Sequence, residues 1–220
     1  ALLAGDGLLT LAFEMLTKAE LSDSQKVSAV KALSLHAGYQ GMIGGQTVDL
    51  MSEGKAVSLD RLKTMDNLKT GKLINCAALL GCIAANADAE KTEHALIFTG
   101  AVGLAFQIVD DILDVTSTEE KLGKPIGSDS EKEKSTYVSL LGLEKSAELA
   151  NNLTVEAKSA LDIFGDEGEF LSKLADKLLE RENFDLKLKA YAKENNVPIM
   201  QDEGIEFFTN YNSFGIIIYR

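Results

Sequence analysis

At 220 residues, with 45% hydrophobic and 25% charged residues, the chain has room for one large domain with a sizeable core, or a domain with an appendage. Its net charge of −12 argues against a nucleic-acid surface, which needs basic patches. Only two prolines, against many Ala, Leu, Lys and Glu, predict an all-α fold. Cys76 and Cys82 lie on one apolar stretch but not on one helix face. They read as reduced core thiols of a cytoplasmic protein, since geometry disfavours a disulfide within one helix. No basic segment leads into an apolar run at the start, so no signal peptide is expected.

In chain order, Ala1–Ala19 is helical in pattern, and Asp6 stands between two glycines. A helix cap after Gly5 and a functional role account for Asp6 equally well. Leu21-Ser22-Asp23-Ser24 is a polar connector bearing cap residues. From Gln25 to Ser52 the pattern predicts one long helix running through His36 and Tyr39 to Gly44-Gly45-Gln46-Thr47-Val48-Asp49. Adjacent glycines weaken a helix, so Gly44-Gly45 predicts close approach of the backbone to another helix or a ligand. Gln46 and Asp49, three apart, share a face. His36 has no second histidine at ligand spacing and reads as a core or surface residue. Ser58 is the expected cap of the next helix, which carries Asn67-Leu68-Lys69-Thr70-Gly71-Lys72-Leu73 and continues through Cys82 to Ala85. Lys69 falls at the edge of this apolar run. A surface lysine beside a kink and a functional ammonium are both consistent with that position. The segment is not a P-loop, because no strand and no correctly spaced glycine precede it.

After a short link at Ala87–Glu90 comes Ala95–Val115, ALIFTGAVGLAFQIVDDILDV, whose charged residues are Asp110, Asp111 and Asp114. With Asp110 at zero on a helical wheel, Asp114 lies at about 40°, Gln107 at about 60° and Asp111 at about 100°. Apolar residues fill most of the remaining circumference, which marks a buried helix. Its length would span a membrane, but three Asp and a Gln at one end make it a buried helix of a soluble protein rather than a transmembrane segment. Buried carboxylates need partners, and three crowded acids favour a divalent metal over a single lysine. Thr116–Ser135 then combines Gly123, Pro125 and Gly127 with Lys121, Lys124, Lys132 and Lys134, and is expected to be a loop. Ammonium groups beside a carboxylate cluster are what a metal–diphosphate site requires, although composition alone favours a solvated charged loop. Tyr137–Phe164 and Glu167–Glu180 read as amphipathic helices without identifiable chemistry.

FQIVDDILD (residues 106–114), GGQTVD (44–49), LKTGKL (68–73), LAGDGLLTLAF (3–13) and LGKPIGSD followed by KSTY resemble, in the correct order, the C-terminal portion of a trans-isoprenyl diphosphate synthase. That is the family of farnesyl and geranylgeranyl diphosphate synthases. The resemblance implies an all-α, isoprenoid-synthase-type helical bundle without its N-terminal helices, with a domain over residues 1–183 and an extension over 184–220. It implies a prenyltransferase in which an allylic diphosphate, bound through Mg²⁺, ionises to an allylic cation that isopentenyl diphosphate attacks. By motif position, Asp110, Asp111 and Asp114 belong to the metal set, Asp110 foremost. Lys69, Thr70, Gln107, Lys124 and Lys134 match contacts to the allylic diphosphate, and Thr70 is a further partner for the cation. Gln46 and Asp49 line the same cavity, and Asp129 matches a holder of metal-bound water. The family also implies a homodimer packed through helices.

The resemblance places a first aspartate-rich motif, paired arginines and the basic residues for isopentenyl diphosphate ahead of LAGD, outside this chain. The chain alone is therefore expected to be incomplete and inactive. A non-catalytic homologue or a partner subunit of a heteromeric prenyl synthase is the alternative, and a terpene cyclase a minor third. Retention of the three aspartates, Lys69 and Lys124 favours the enzyme, since a pure partner has no need to bury unpaired carboxylates. At the other end, LADKLLERE (174–182) resembles the family's closing segment, with Arg181 near the homoallylic site. The final FGIIIYR is strand-like.

Overall fold

The computed structural model describes residues 2–116, 134–179, 199–202 and 205–208. The expectations for Lys121, Lys124, Asp129, Lys132, Arg181 and the terminal FGIIIYR lie outside these residues. In order, the helices are α1 (Leu2–Lys18), α2 (Asp23–Ala37), α3 (Met42–Ser52), α4 (Leu59–Asp66), a π-helical turn (Asn67–Gly71), α5 (Lys72–Ala85), α6 (Ala89–Thr116), α7 (Tyr137–Leu141), α8 (Leu143–Ala160), a 3₁₀ turn (Asp162–Gly168) and α9 (Glu169–Leu179). Beyond α9, the described residues form a small antiparallel hairpin, β1 (Ile199–Asp202) with β2 (Ile205–Phe208), pairing Ile199 with Phe208 and Asp202 with Ile205.

Local chemistry sets the boundaries. Ser22 and Gln25 form a reciprocal capping box at the start of α2, and the Gln25 side chain also donates to the Ile83 carbonyl (2.7 Å), fastening α2 to the end of α5. Ser58 caps α4 through the Arg61 amide, as its position predicts. Asp6 caps nothing; it lies exposed within α1. The continuous helix expected over 25–52 is instead broken at 38–41. A β-carbon on Gly41 would stand 1.9 Å from the His36 carbonyl oxygen, so this tight corner requires glycine and turns the chain back to start α3. Likewise, the expected helix over 137–164 is divided at Gly142, whose φ of +84° ends α7.

Helix α6 is the axis of the bundle. Phe98 and Ala101 pack with Ala157, Ala160, Leu161 and Ala175 of the α8–α9 layer. Ile108 and Val109 pack with Leu62, Tyr137 and Ala150, so α4, α7 and α8 meet on the acid-bearing half of α6. Ala32, Leu33, Ala37 and Cys76 form a third cluster between α2 and α5. Cys76 and Cys82 are free thiols, and burial pushes the Cys76 thiol up to about 11. Leu59–Ala85 and Ala89–Thr116 are each long and apolar enough to cross a membrane by length and composition alone. In this bundle, α6 is packed as a core helix between α5 and α8. Ile108 is fully buried in this layer. Its truncation in Ile108→Ala is expected to cost about 2–5 kcal/mol, read as a lowered urea midpoint with an unchanged slope.

Candidate active site

The π-helical turn interrupts an otherwise continuous α4–α5 rod at Asn67-Leu68-Lys69-Thr70-Gly71. Such bulges widen the helix by one residue, re-aim the side chains they contain, and recur at functional sites. Here they re-aim Lys69 and Thr70. The expectation that Gly44-Gly45 permits a close approach is met by a helix: α3 lies directly on the π turn. A β-carbon on Gly45 would sit 2.3 Å from the Lys69 nitrogen and 2.6 Å from its Cα. On the other side of the turn, a β-carbon on Gly103 of α6 would meet Gly71 Cα at 3.5 Å. The turn is thus held between α3 and α6 at near-backbone contact.

This packing brings five of the expected residues into two bonded groups. Lys69 Nζ donates to Asp49 Oδ2 at 2.6 Å, and Lys134 Nζ approaches Asp49 Oδ1 at 3.5 Å. Thr70 Oγ1 donates to Gln107 Oε1 at 3.1 Å across the α5–α6 seam. Partial burial acts to raise the Asp49 carboxyl pKa, but the hydrogen bond and charge of Lys69, helped by Lys134, outweigh it and hold it below the usual carboxylate value. One carboxylate therefore keeps two ammonium groups side by side. Gln46 is exposed one turn earlier on α3, outside this network.

The three acids of α6 occupy different surroundings. Asp110 and Asp111 are half-buried and diverge around the helix. Asp111 Oδ2 accepts the Tyr137 amide at 2.7 Å, at the start of α7. Asp114 is 3% exposed, and its Oδ1 is buried without a hydrogen-bond partner. A buried, unsatisfied carboxylate oxygen one turn from another carboxylate is a site whose missing interaction a hard cation supplies. Asp114, one turn from Asp110, meets that condition, while Asp111 accepts a backbone amide; among the described residues no three acidic, His or Cys side chains gather into a metal cluster.

Asp66 and Tyr137 escaped the sequence reading. Asp66 is 8% exposed and ends α4 immediately before the π turn, and Tyr137 is fully buried. The phenol faces Asp66 without reaching hydrogen-bonding geometry, and its oxygen has no partner. Burial raises the Asp66 carboxyl to about 6, against the opposing effects of Tyr137 and the Lys69 charge. Burial, then the charge of Asp66, raises the Tyr137 phenol above its ordinary range. The one available sequence signal was Asp66 itself, an acid three residues before Lys69 on the run that leads to the apolar helix.

Comparison with known proteins agrees with this arrangement. Residues 1–163 match the polyprenyl synthetase family. The farnesyl diphosphate synthase of Bacillus subtilis is 38% identical over 186 residues, covering 83% of this chain and 63% of that protein. The heterodimeric geranylgeranyl pyrophosphate synthase large subunit 2 of Arabidopsis thaliana is 42% identical over 170 residues, covering 76% of this chain and 45% of that one. Among solved structures, the geranyltransferase of Helicobacter pylori complexed with magnesium and isoprenyl diphosphate superposes with a TM-score of 0.69 at 36% identity, covering 81% of this chain and 58% of that one. The geranylgeranyl pyrophosphate synthetase of Pyrococcus horikoshii gives 0.72 at 29% identity, covering 82% and 66%. The chain spans less than two thirds of the length of the curated relatives it matches. With the all-α isoprenoid synthase fold and the match over most of its length, the chain belongs to the polyprenyl synthetase family.

Proposed function

We propose that this chain carries the leaving-group side of a short-chain prenyltransferase, which lengthens an allylic diphosphate with isopentenyl diphosphate. The observation that carries the reading is the convergence of Lys69, Lys134 and the Thr70–Gln107 pair with the acid-bearing end of α6. Asp49 holds the two ammonium groups in place of an anion, and a bound diphosphate would take over their charge. Thr70 donates its proton to Gln107, so its oxygen lone pairs remain available to a developing carbocation. Asp110 and Asp114 would hold Mg²⁺, with Asp111 included in the set by family resemblance. Bound Mg²⁺ supplies neutralisation of the charge that develops on the diphosphate as the carbon–oxygen bond breaks. Leu104, Ile108 and Val109 of α6 share one apolar cluster, which supports a water-poor setting in which a cation escapes quenching.

The complete condensation requires more than these residues. The sequence contains a single Asp-Asp pair, at 110–111. We infer that a first aspartate-rich motif and the groups that bind isopentenyl diphosphate are supplied by sequence outside this chain, and that the chain alone does not turn over. Homodimerisation and a cytoplasmic setting belong to the same proposal. The apolar residues exposed on α1 and α3, Leu3, Leu11, Met15, Leu50 and Met51 among them, support packing against further helices. A partner-subunit role is the second reading, favoured by the similarity to a large subunit of a heterodimeric synthase.

Titration calorimetry with inorganic pyrophosphate and Mg²⁺ tests the site directly. Lys69→Met and Asp110→Asn are each expected to weaken Mg²⁺-dependent binding by about tenfold or more, the scale of a charge-assisted contact. Dimethylallyl and isopentenyl diphosphates with Mg²⁺ should give no pyrophosphate release from the chain alone. Binding that is absent, or indifferent to both substitutions, sinks the diphosphate reading, and turnover sinks the claim of incompleteness.

A further inference from the structure

The segment Lys134-Ser135-Thr136-Tyr137 ties successive residues to different parts of the bundle. Lys134 reaches Asp49 on α3. Ser135 Oγ accepts the Val57 amide at 3.1 Å, just before α4. Thr136 caps α7 by a reciprocal box with Ser139. The Tyr137 amide donates to Asp111 Oδ2 at 2.7 Å, while its ring is fully buried against Leu62, Ile108, Val109 and Ala150. The segment is thus a strap laid over the site end of α6, with Lys134 as its leading residue.

The hydrogen bond from Tyr137 gives Asp111 a task different from that of its neighbours. Its carboxylate is aimed about 100° around α6 from Asp110, by the pitch of the helix, and it engages the first turn of α7. A charge-assisted bond to an amide at a helix start is among the stronger single hydrogen bonds, and it fixes where the preceding three residues lie. We propose that Asp111 is a positioning residue: by accepting the Tyr137 amide it latches the strap to α6 and so seats Lys134 on Asp49 beside Lys69. The proposal rests on the diphosphate-site reading only for its functional consequence, the pairing of two ammonium groups around one anion. The latch itself stands on the hydrogen bonds.

Lysine-selective acetylation of the folded chain, quantified peptide by peptide, reads the seating of Lys134 without any ligand. Lys134 and Lys69 are 26% and 33% exposed, so both are partly protected by their ion pairs with Asp49. Asp111→Asn keeps the size and weakens the acceptor; it should raise the labelling rate of Lys134 by about tenfold, leave Lys69 unchanged, and speed hydrogen exchange at the Tyr137 amide. Ser135→Ala, which cuts the other tether without touching α6, should raise Lys134 labelling in the same direction. Asp110→Asn should leave it at the wild-type rate. The functional arm is pyrophosphate binding without metal, where Asp111→Asn/Lys134→Met should be no weaker than Lys134→Met alone. Unchanged Lys134 labelling in Asp111→Asn, an equal rise in Asp110→Asn, or additive effects in the double variant would overturn the proposal. If the wild-type chain binds no pyrophosphate, the diphosphate reading fails, and the labelling result still decides the latch.

Discussion

Gly45→Ala is expected to abolish the lysine pair at the site while leaving the chain folded. The added methyl would lie 2.3 Å from the Lys69 nitrogen and 2.8 Å from the Leu68 carbonyl carbon, both backbone atoms that cannot rotate away. Either α3 or the π turn must move by about an ångström, since ordinary carbon contacts need about 3.5 Å. Overpacking of this kind costs about 1–3 kcal/mol, which a core of three separate clusters survives. The functional loss is larger, because Asp49 rides on α3 and Lys69 on the turn. Separating them breaks the 2.6 Å ion pair that orients the ammonium. Mg²⁺-dependent pyrophosphate affinity should therefore fall by about tenfold or more, comparable to Lys69→Met, with only a modest drop in thermal midpoint. A variant that binds pyrophosphate as the wild type does would show that the close approach is packing alone. Gly7→Ala is the fitting control, because a β-carbon there meets nothing within 4 Å.

Particular residues show how much of this was legible in the sequence. The acids of α6 are visible in a wheel because the apolar circumference leaves them nowhere else to be, and the structure keeps their relative angles. Gly44-Gly45 announced a close approach, though not its partner, since a glycine pair records that space is needed and not what fills it. The breaks at 38–41 and at Gly142 are hard to read because Gly38-Tyr39-Gln40-Gly41 and the lone Gly142 carry no proline or charge cluster to mark a stop. The π turn is invisible for a related reason: inserting one residue into a helix leaves the local composition unchanged while rotating everything before it. That rotation is why Asp66 could not be placed against Tyr137, seventy-one positions further on. The roles of Asp110, Asp111 and Asp114 separated only once α7 was seen to dock on one of them.

The division among the acids also says how the two halves of the site are coupled. Asp49 neutralises the lysines, and Asp114 retains an unsatisfied oxygen where the proposal places Mg²⁺. Lys69, close to Asp49 and within electrostatic reach of Asp66, is where these influences meet. An anion that draws Lys69 and Lys134 toward itself loosens their hold on Asp49. On the proposed function, a bound diphosphate would replace the Asp49 carboxylate with little change in the charge each lysine faces, which would keep reorganisation small.

Asp66 gives the second large effect, and its sign follows from linkage. Its carboxyl has an ordinary value of 3.8 and is raised to about 6 in the fold, chiefly by burial. The folded chain therefore binds this proton more tightly than the unfolded chain. The resulting stabilisation is full below about 3.8 and is lost as pH rises through about 6. Asparagine has no proton to lose, so Asp66→Asn should escape that loss. The stability difference between variant and wild type should grow in the variant's favour by about 2–3 kcal/mol between pH 4 and pH 7.5. In a chain of this size that is about 5–10 °C in thermal midpoint. The same substitution removes a negative charge near Lys69, so pyrophosphate affinity should rise above pH 6 and match the wild type below pH 5. Thermal melts of the two proteins across that range check the first claim, and calorimetry at its two ends the second. A stability difference that stays constant with pH would mean that Asp66 titrates alike in the folded and unfolded chain, and that its burial beneath Tyr137 is relieved by some other group.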